Sequence, residues 1–281
     1  MATDKRARKK EHRDAMLAQR RAMLRRRRAA RVGAVATVIV LVVAAAVISG
    51  GTGGGGDRNR RNPGTQGEEP TPPAETVEPT QAPAAGGVAC GAKKPPNAKS
   101  RQYPEAEQVL EEGVDYRAIM ETSCGTIEID LLEDEAPVTV NNFAFLAQEG
   151  FYNGLTFHRI EPGFVIQGGD PMGTGAGGPG YQFDDELWAK SKDYKFGTMS
   201  MANSGPNTNG SQFFFIIHKP ADKPAALAPA YSMFGRVPKS SWKTLDEIAK
   251  VETFGPNAPD PSQASMPVDT IYIESVEIVE A

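Results

Sequence analysis

The C-terminal part of the chain is a series of short apolar runs, each separated from the next by glycine or polar turn residues. Five of these runs, between Gly154 and Val237, read GLTFHRI, GFVIQGG, FGTMSMA, SQFFFIIH and YSMFGRV. Runs of this length, rich in Phe, Ile and Val, are typical of β-strands and are too short for most helices. No repeated strand–helix–strand pattern is present, which disfavours a parallel sheet.

A hairpin and two isolated helices complete this pattern. Residues 115–132 alternate in two runs around Ser123–Gly125, which predicts a β-hairpin. Pro137 suits the first turn of a helix with one apolar face, and Gly150 would end that helix. A second helix is predicted from Ser241 to Val251, with three residues buried: Trp242, Leu245 and Ile248. Many short strands with two lone helices predict a closed antiparallel barrel over residues 113–281.

The N-terminal segment differs sharply in charge from the rest of the chain. Residues 1–31 hold thirteen of the 31 Lys and Arg but three of the 35 acidic residues, so that a net charge of +10 precedes a body of −14. The next seventeen residues, Val32–Ile48, carry no charge. As a helix they would span about 26 Å, enough for a thin hydrocarbon core. We expect residues 32–50 to form an uncleaved signal-anchor, with residues 1–31 in the cytoplasm and the body outside.

Two other readings of this segment are weaker. A cleaved signal peptide would have a shorter basic region and a clear small-residue cleavage site. A nucleic-acid-binding arm would not need an apolar run directly after its arginines. Residues 51–112 are rich in Pro, Gly, Thr and Glu, and we interpret them as a disordered linker that holds the domain away from the membrane.

Several kinds of chemistry are disfavoured by the residues that are present. The three histidines and two cysteines show no metal-ligand spacing, so we expect no metal. Residues 173–178 read GTGAGG, but Pro179 and Gly180 follow where a phosphate-binding helix would begin. We therefore interpret these glycines as a surface loop and expect no cofactor. No nucleophile–base pair can be assembled, which favours non-covalent chemistry.

Two longer stretches carry a resemblance to a known family. FHRIEPGFVIQGGD (Phe157–Asp170) and MANSGPNTNGSQFFF (Met201–Phe215) closely resemble the cyclophilin family of peptidyl-prolyl isomerases. The resemblance extends over residues 114–281 and implies an eight-stranded antiparallel barrel capped by two α-helices, with the active groove on its outer face.

The resemblance also implies the site residues. Arg159 matches the catalytic arginine, Gln167 the glutamine that steadies it, and Phe164 part of the hydrophobic floor. The other matched groove residues are Val165, Ala202, Asn203, Gln212, Phe214, Leu227 and Tyr231. Strand alternation also allows Phe164 and Phe214 to be core aromatics, since one of Phe213–Phe215 must point inward. His158 is interpreted as structural, because isomerisation needs no base.

An arginine without a nearby acid suits this reaction. Rotation about an Xaa–Pro bond destroys amide resonance, and the prolyl nitrogen gains a lone pair only in the twisted transition state. A donor aimed at that nitrogen binds the transition state more tightly than the substrate. Arginine keeps its charge and can also hold the substrate carbonyl.

The two cysteines, Cys90 and Cys124, are predicted to form a disulfide. In an exported domain two exposed thiols would be prone to oxidation, whereas a bridge suits the compartment. Cys124 lies in the hairpin turn, so the bridge would pin the end of the linker to the barrel. Two independent thiols are the alternative.

These observations predict a membrane-tethered, monomeric peptidyl-prolyl isomerase. Its partners would be proline-containing peptides and unfolded exported proteins, with no nucleic acid. The alternative is a proline-peptide binding module or holdase chaperone with little turnover. Arg159 beside Gln167 favours the enzyme, since a binding module needs no donor for the prolyl nitrogen.

Overall fold

The computed structural model describes residues 86–96, 98, 101–218, 227–258 and 260–281. The basic segment 1–31, the predicted signal-anchor 32–50 and the linker up to residue 85 lie outside these ranges. Among the described residues, no helix is long and apolar enough to cross a membrane.

Eight antiparallel strands form a single sheet, as the resemblance implies. Their order across the sheet is β3-β4-β6-β5-β7-β2-β1-β8. Their bounds are β1 Tyr116–Thr122, β2 Gly125–Leu131, β3 Thr156–Glu161, β4 Val165–Asp170, β5 Thr198–Met201, β6 Phe213–Ile216, β7 Met233–Arg236 and β8 Ile273–Glu280.

The first two strands form the predicted hairpin. Their register pairs Ala118 with Ile129 and Met120 with Ile127. These four side chains are fully buried, while the residues between them are partly exposed. The two-residue period of the sequence therefore separates a core face from a solvent face, as expected for a half-buried strand.

Both predicted helices are present and are slightly shorter than the sequence suggests. Helix α1 is Pro137–Gln148, with proline in its first turn, and helix α2 is Trp242–Ala249. Gly150 follows α1 at a φ of 66°, a left-handed conformation that glycine adopts without strain. Helix α1 is buried nearly all round, because it packs between the sheet and the segment that precedes the hairpin.

The two edge strands of the sheet approach each other. An isolated antiparallel bridge joins Thr156 to Tyr272, and the amide of Phe157 donates to the carbonyl of Ile271 at 3.0 Å. The continuous ladder nevertheless runs from β3 to β8 and does not include this junction. Full closure of the barrel stays a prediction.

Residues 86–112, assigned to the linker by composition, contact the sheet and α1 at several places. Val88 pairs with Thr270 in a parallel bridge near one end. Further along, the amides of Val109 and Leu110 donate to the side-chain oxygen of Asn141 in α1, at 2.9 and 3.3 Å. These contacts are made by single residues within a Pro- and Glu-rich segment. The average composition of the segment therefore does not predict them.

The predicted disulfide is present. Cys90 lies in a short 3₁₀ helix, Ala89–Gly91, and is bonded to Cys124 in the turn of the β1–β2 hairpin, 34 residues away. Next to it, the amide of Ala89 donates to the carbonyl of Thr270 at 2.9 Å. The bridge therefore reinforces a contact that the backbone also makes.

We expect this disulfide to stabilise the domain by restricting the unfolded chain. Closing a loop of this length contributes about 2–4 kcal/mol. Urea denaturation of wild type and of Cys90→Ser/Cys124→Ser should differ by that amount. Reductant should destabilise the wild type and leave the variant unchanged. Two titratable thiols in the unreduced, denatured wild type would contradict the bridge.

Candidate active site

Arg159 and Gln167 face each other on neighbouring strands. They are direct partners in the register of β3 with β4, and the Nη1 of Arg159 donates to the Oε1 of Gln167 at 3.4 Å. The other arm of the guanidinium forms an ion pair with the carboxylate of Glu161. About a third of the arginine side chain is exposed, so the cation lies at the surface of the sheet with room to meet a ligand.

Glu161 was missed by the sequence reasoning. It lies two residues after Arg159 on the same strand, and residues at this spacing share a face of a sheet. The two-residue period could therefore have identified the pair. Arg159 therefore does have an acid close by, contrary to the sequence interpretation. Glu161 holds one side of its guanidinium and Gln167 holds the other.

A relay of amides fixes the orientation of Gln167. Its Nε2 donates to the Oε1 of Gln212 at 2.9 Å. The Nε2 of Gln212 in turn donates to the carbonyl oxygens of Gly175 and Gly177, both at 2.9 Å. Because each donor has a carbonyl acceptor, the Oε1 of Gln167 is left to face Arg159.

An apolar cluster distinct from the main core lies beside this relay. Its buried members include Val165, Phe214 and Met233, and Phe164, Leu227 and Tyr231 pack against it with part of each side chain exposed. The rings of Phe214 and Tyr231 meet edge to face at 5.3 Å between centroids. Such a surface can hold an apolar ring and exclude water from it.

Strand β6 resolves the question of which phenylalanines face the groove. Phe213 and Phe215 belong to the main core, whereas Phe214 belongs to the second cluster. Phe164 also belongs to the second cluster, so neither predicted floor aromatic is an ordinary core residue. Met233, Ile216 and Tyr194 are further members that sequence reasoning did not select.

The remaining predicted residues border the same area. The amide of Ala202 donates to the carbonyl of Gln212 at 2.9 Å, and the Nδ2 of Asn203 donates to the carbonyl of Ala230 at 3.0 Å. The hydroxyl of Tyr194 donates to the carbonyl of Tyr231 at 2.7 Å. The structure therefore brings all ten predicted site residues into one contiguous region.

A cavity of about 660 Å³ adjoins this region. Four of the predicted residues line it: Gln167, Ala202, Asn203 and Gln212. The glycine-rich loop of residues 175–180 also lines it; this segment is a loop as predicted and carries no helix. Asp170 holds this loop, since its Oδ2 accepts hydrogen bonds from the amides of Thr174 and Gly175 at 2.9 and 2.5 Å.

Comparison with known proteins now identifies the family. Residues 117–278 match the family model described as cyclophilin type peptidyl-prolyl cis-trans isomerase. The chain belongs to this family. It is therefore a cyclophilin-type peptidyl-prolyl cis-trans isomerase, with the mainly β fold that the family implies.

Individual cyclophilins show how far the similarity reaches. The peptidyl-prolyl cis-trans isomerase-like 1 of Aspergillus fumigatus is 43% identical over 165 residues, which cover 58% of this chain and 94% of that protein. The probable peptidyl-prolyl cis-trans isomerase B of Mycobacterium tuberculosis is 38% identical over 171 residues, covering 56% and 54%. A crystal structure of a Cryptosporidium parvum cyclophilin matches with a TM-score of 0.51 and 32% identity, covering 59% of this chain and 99% of that one.

His158 precedes the arginine of this cyclophilin and is nearly inaccessible. Neither ring nitrogen has a hydrogen-bond partner within the part of the chain that the structure describes. Burial lowers the pKa of His158 below its usual value of 6.5, because the charged form would lose its hydration, and the Arg159 cation lowers it further. The Asp170 carboxylate opposes both effects. A neutral, structural histidine agrees with the sequence interpretation.

We expect this histidine to make stability depend on pH. The unfolded chain binds a proton near pH 6.5 whereas the folded protein does so only at lower pH, so stability is complete above 6.5 and declines as pH falls below it. The slope contributed by one histidine is at most about 1.4 kcal/mol per pH unit. Denaturation of wild type and His158→Gln between pH 7.5 and 5.5 measures it. Parallel curves for the two proteins would refute the role of His158.

Proposed function

We propose that this isomerase works non-covalently, with Arg159 donating to the prolyl nitrogen and the substrate carbonyl. The observation that carries the proposal is the partly exposed guanidinium of Arg159, whose register partner, Gln167, is also the register partner of Phe214. Phe214 belongs to the apolar cluster that includes Phe164, Val165 and Leu227. A proline ring seated on that cluster would place its imide nitrogen next to the cation. Gln167 and Glu161 hold the guanidinium from two sides and so limit its motion.

The electronic structure of the transition state explains why a hydrogen-bond donor such as arginine is needed. The planar Xaa–Pro bond resists rotation by ~18–20 kcal/mol. At the twisted geometry the prolyl nitrogen becomes a hydrogen-bond acceptor, which it is not in the planar ground state. A donor already in place binds only the twisted form and thereby lowers the barrier.

One hydrogen bond cannot account for the whole rate increase. Shortening isomerisation from ~100 s to ~1 ms corresponds to about 10⁵-fold, or about 7 kcal/mol. A hydrogen bond to a charged group contributes about 1.5–3 kcal/mol. The apolar cluster must supply much of the rest, by holding the ring and excluding water from the imide.

We expect Arg159→Ala to lower kcat/KM for an Xaa–Pro peptide by about 10- to 100-fold, with a much smaller change in peptide affinity. A coupled isomerisation assay and calorimetric binding measure the two quantities. Arg117→Ala is a matched control, because Arg117 has a similar exposed fraction, 38% against 36%, and is also ion-paired to a carboxylate on the same sheet.

Unchanged turnover in Arg159→Ala would overturn the mechanism. A wild type that binds proline peptides without accelerating their isomerisation would instead support a binding module or holdase. Equal losses in Arg159→Ala and Arg117→Ala would mean that the effect is structural.

We also propose that the domain acts on exported proteins while anchored in the cell membrane. Two observations support this. The uncharged run Val32–Ile48 directly follows thirteen basic residues, which favours a cytoplasmic N-terminus. The Cys90–Cys124 disulfide suits an oxidising compartment on the other side. Clients would be unfolded chains with exposed Xaa–Pro bonds, met by a single tethered copy.

Cell fractionation tests the location. The full-length chain should remain in the membrane fraction after an alkaline wash, and protease added outside the membrane should digest residues 113–281. A variant that lacks residues 1–50 should be found in the soluble fraction. Full protection of the intact chain from external protease would contradict an extracytoplasmic domain.

A further inference from the structure

A short segment before the family match is fixed against the active-site side of the domain. Residues 101–103 precede the matched range, which begins at residue 117. The Nη1 of Arg101 donates to the carbonyl of Glu149, at the end of α1, at 3.0 Å. The ring of Tyr103 packs edge to face on Phe145 at 5.2 Å between centroids, and its amide donates to the carbonyl of Pro179 at 2.8 Å. The segment is therefore anchored to both α1 and the glycine-rich loop.

Gln102 lies between these anchors and lines the 660 Å³ cavity. Its Nε2 donates to the carbonyl of Gly178 at 3.2 Å. Among the described residues, none donates a hydrogen bond to its Oε1, so this oxygen is available as an acceptor. The wall of the cavity that Ala202 and Asn203 line thus also includes a side chain that the family match does not contain.

Gly180 shows how closely the segment approaches the loop. A Cβ at this position would lie 2.6 Å from the Oε1 of Gln102 and 2.9 Å from the carbonyl oxygen of Tyr103. The φ of Gly180, 98°, also belongs to a region that other residues rarely adopt. Only glycine permits both the backbone conformation and the contact, so the position of Gln102 is built into the loop.

The cavity adjoins the proposed proline site through two shared residues, Gln167 and Gln212. Gln167 contacts Arg159 on one side and lines the cavity on the other, and Gln212 connects the two through its amide. An extended peptide advances about 3.3 Å per residue. A substrate seated on the apolar cluster therefore places the side chain of a residue close to its proline in this cavity.

We propose that Gln102 is a specificity-determining residue of this isomerase. This inference rests on the proposed groove at Arg159. A substrate side chain in the cavity meets the Oε1 of Gln102, to which none of the described residues donates; this oxygen accepts hydrogen bonds and repels acidic groups. Hydrogen-bond donors such as Lys, Arg, Asn and Ser are therefore preferred at one position near proline, and Asp and Glu are disfavoured.

The test compares kcat/KM for peptides that differ at one position at a time, within two residues before or one residue after proline. In the wild type, peptides with a hydrogen-bond donor at one of these positions should have a higher kcat/KM than the peptide with alanine there. In Gln102→Ala the ratio of kcat/KM for the donor peptide to kcat/KM for the alanine peptide should fall about three- to tenfold. The change should be mainly in KM, as expected for the loss of a neutral hydrogen bond.

Gln108→Ala provides the matched control. Gln108 is an exposed glutamine of the same segment, its Nε2 donates to the carbonyl of Leu110 at 2.9 Å, and it does not line the cavity. This variant should keep the wild-type ratios at every position.

Gln102→Glu provides a second test, because this variant should gain an attraction to basic side chains of the peptide. Peptides with Lys or Arg at the sensitive position should become better substrates relative to alanine, and added salt should reduce the gain. Ratios equal to those of the wild type at all positions, in both Gln102 variants, would overturn the inference.

Measuring kcat/KM of Arg159→Ala with the same peptides distinguishes a failure of this inference from a failure of the proposed mechanism. A large loss in Arg159→Ala together with unchanged ratios in the Gln102 variants would contradict the role of Gln102 alone. Full activity in Arg159→Ala would contradict the mechanism, whatever the ratios.

Discussion

The antiparallel pairing of β3 with β4 holds Arg159 opposite Gln167, and the rest of the site is arranged around that contact. A shift of one residue in this register would turn the arginine toward the core, where its charge could not be hydrated. The register is secured from within, because Ile160 and Ile166 are direct register partners and are fully buried in the main core. The burial of apolar side chains therefore determines where the cation can lie.

Successive side chains of β6 point to opposite faces of the sheet and belong to two different apolar clusters. Phe213 and Phe215 pack against Phe157 in the main core, at 6.1 and 6.3 Å between ring centroids, and stabilise the sheet. Phe214 points the other way and forms the groove with Val165 and Tyr231. Because residues of the core and of the second cluster alternate on one strand, core packing fixes the position of Phe214, as suits a preorganised site.

The segment before the sheet extends this arrangement beyond the residues that match the family. Cys90 of this segment is bonded to Cys124 in the hairpin turn, and residues 101–103 reach the loop that borders the cavity. A segment that contains many polar residues thus forms part of the surface of the domain. This gives a physical route by which the segment can affect substrate preference at the proposed groove.

The sequence alone predicted the strands and both helices from local periodicity and turn residues, and the disulfide from the oxidation of exposed thiols in an exported domain. The ten groove residues were implied by a resemblance that two long motifs carry, and their roles stay predictions. Only the tertiary structure decided that Phe214 joins the second apolar cluster and that Val88, Val109 and Leu110 contact the domain. Each of these depends on contacts between residues distant in sequence or on the face chosen by a strand. Local patterns carry no information about such contacts, since they arise only when the register of the whole sheet is set.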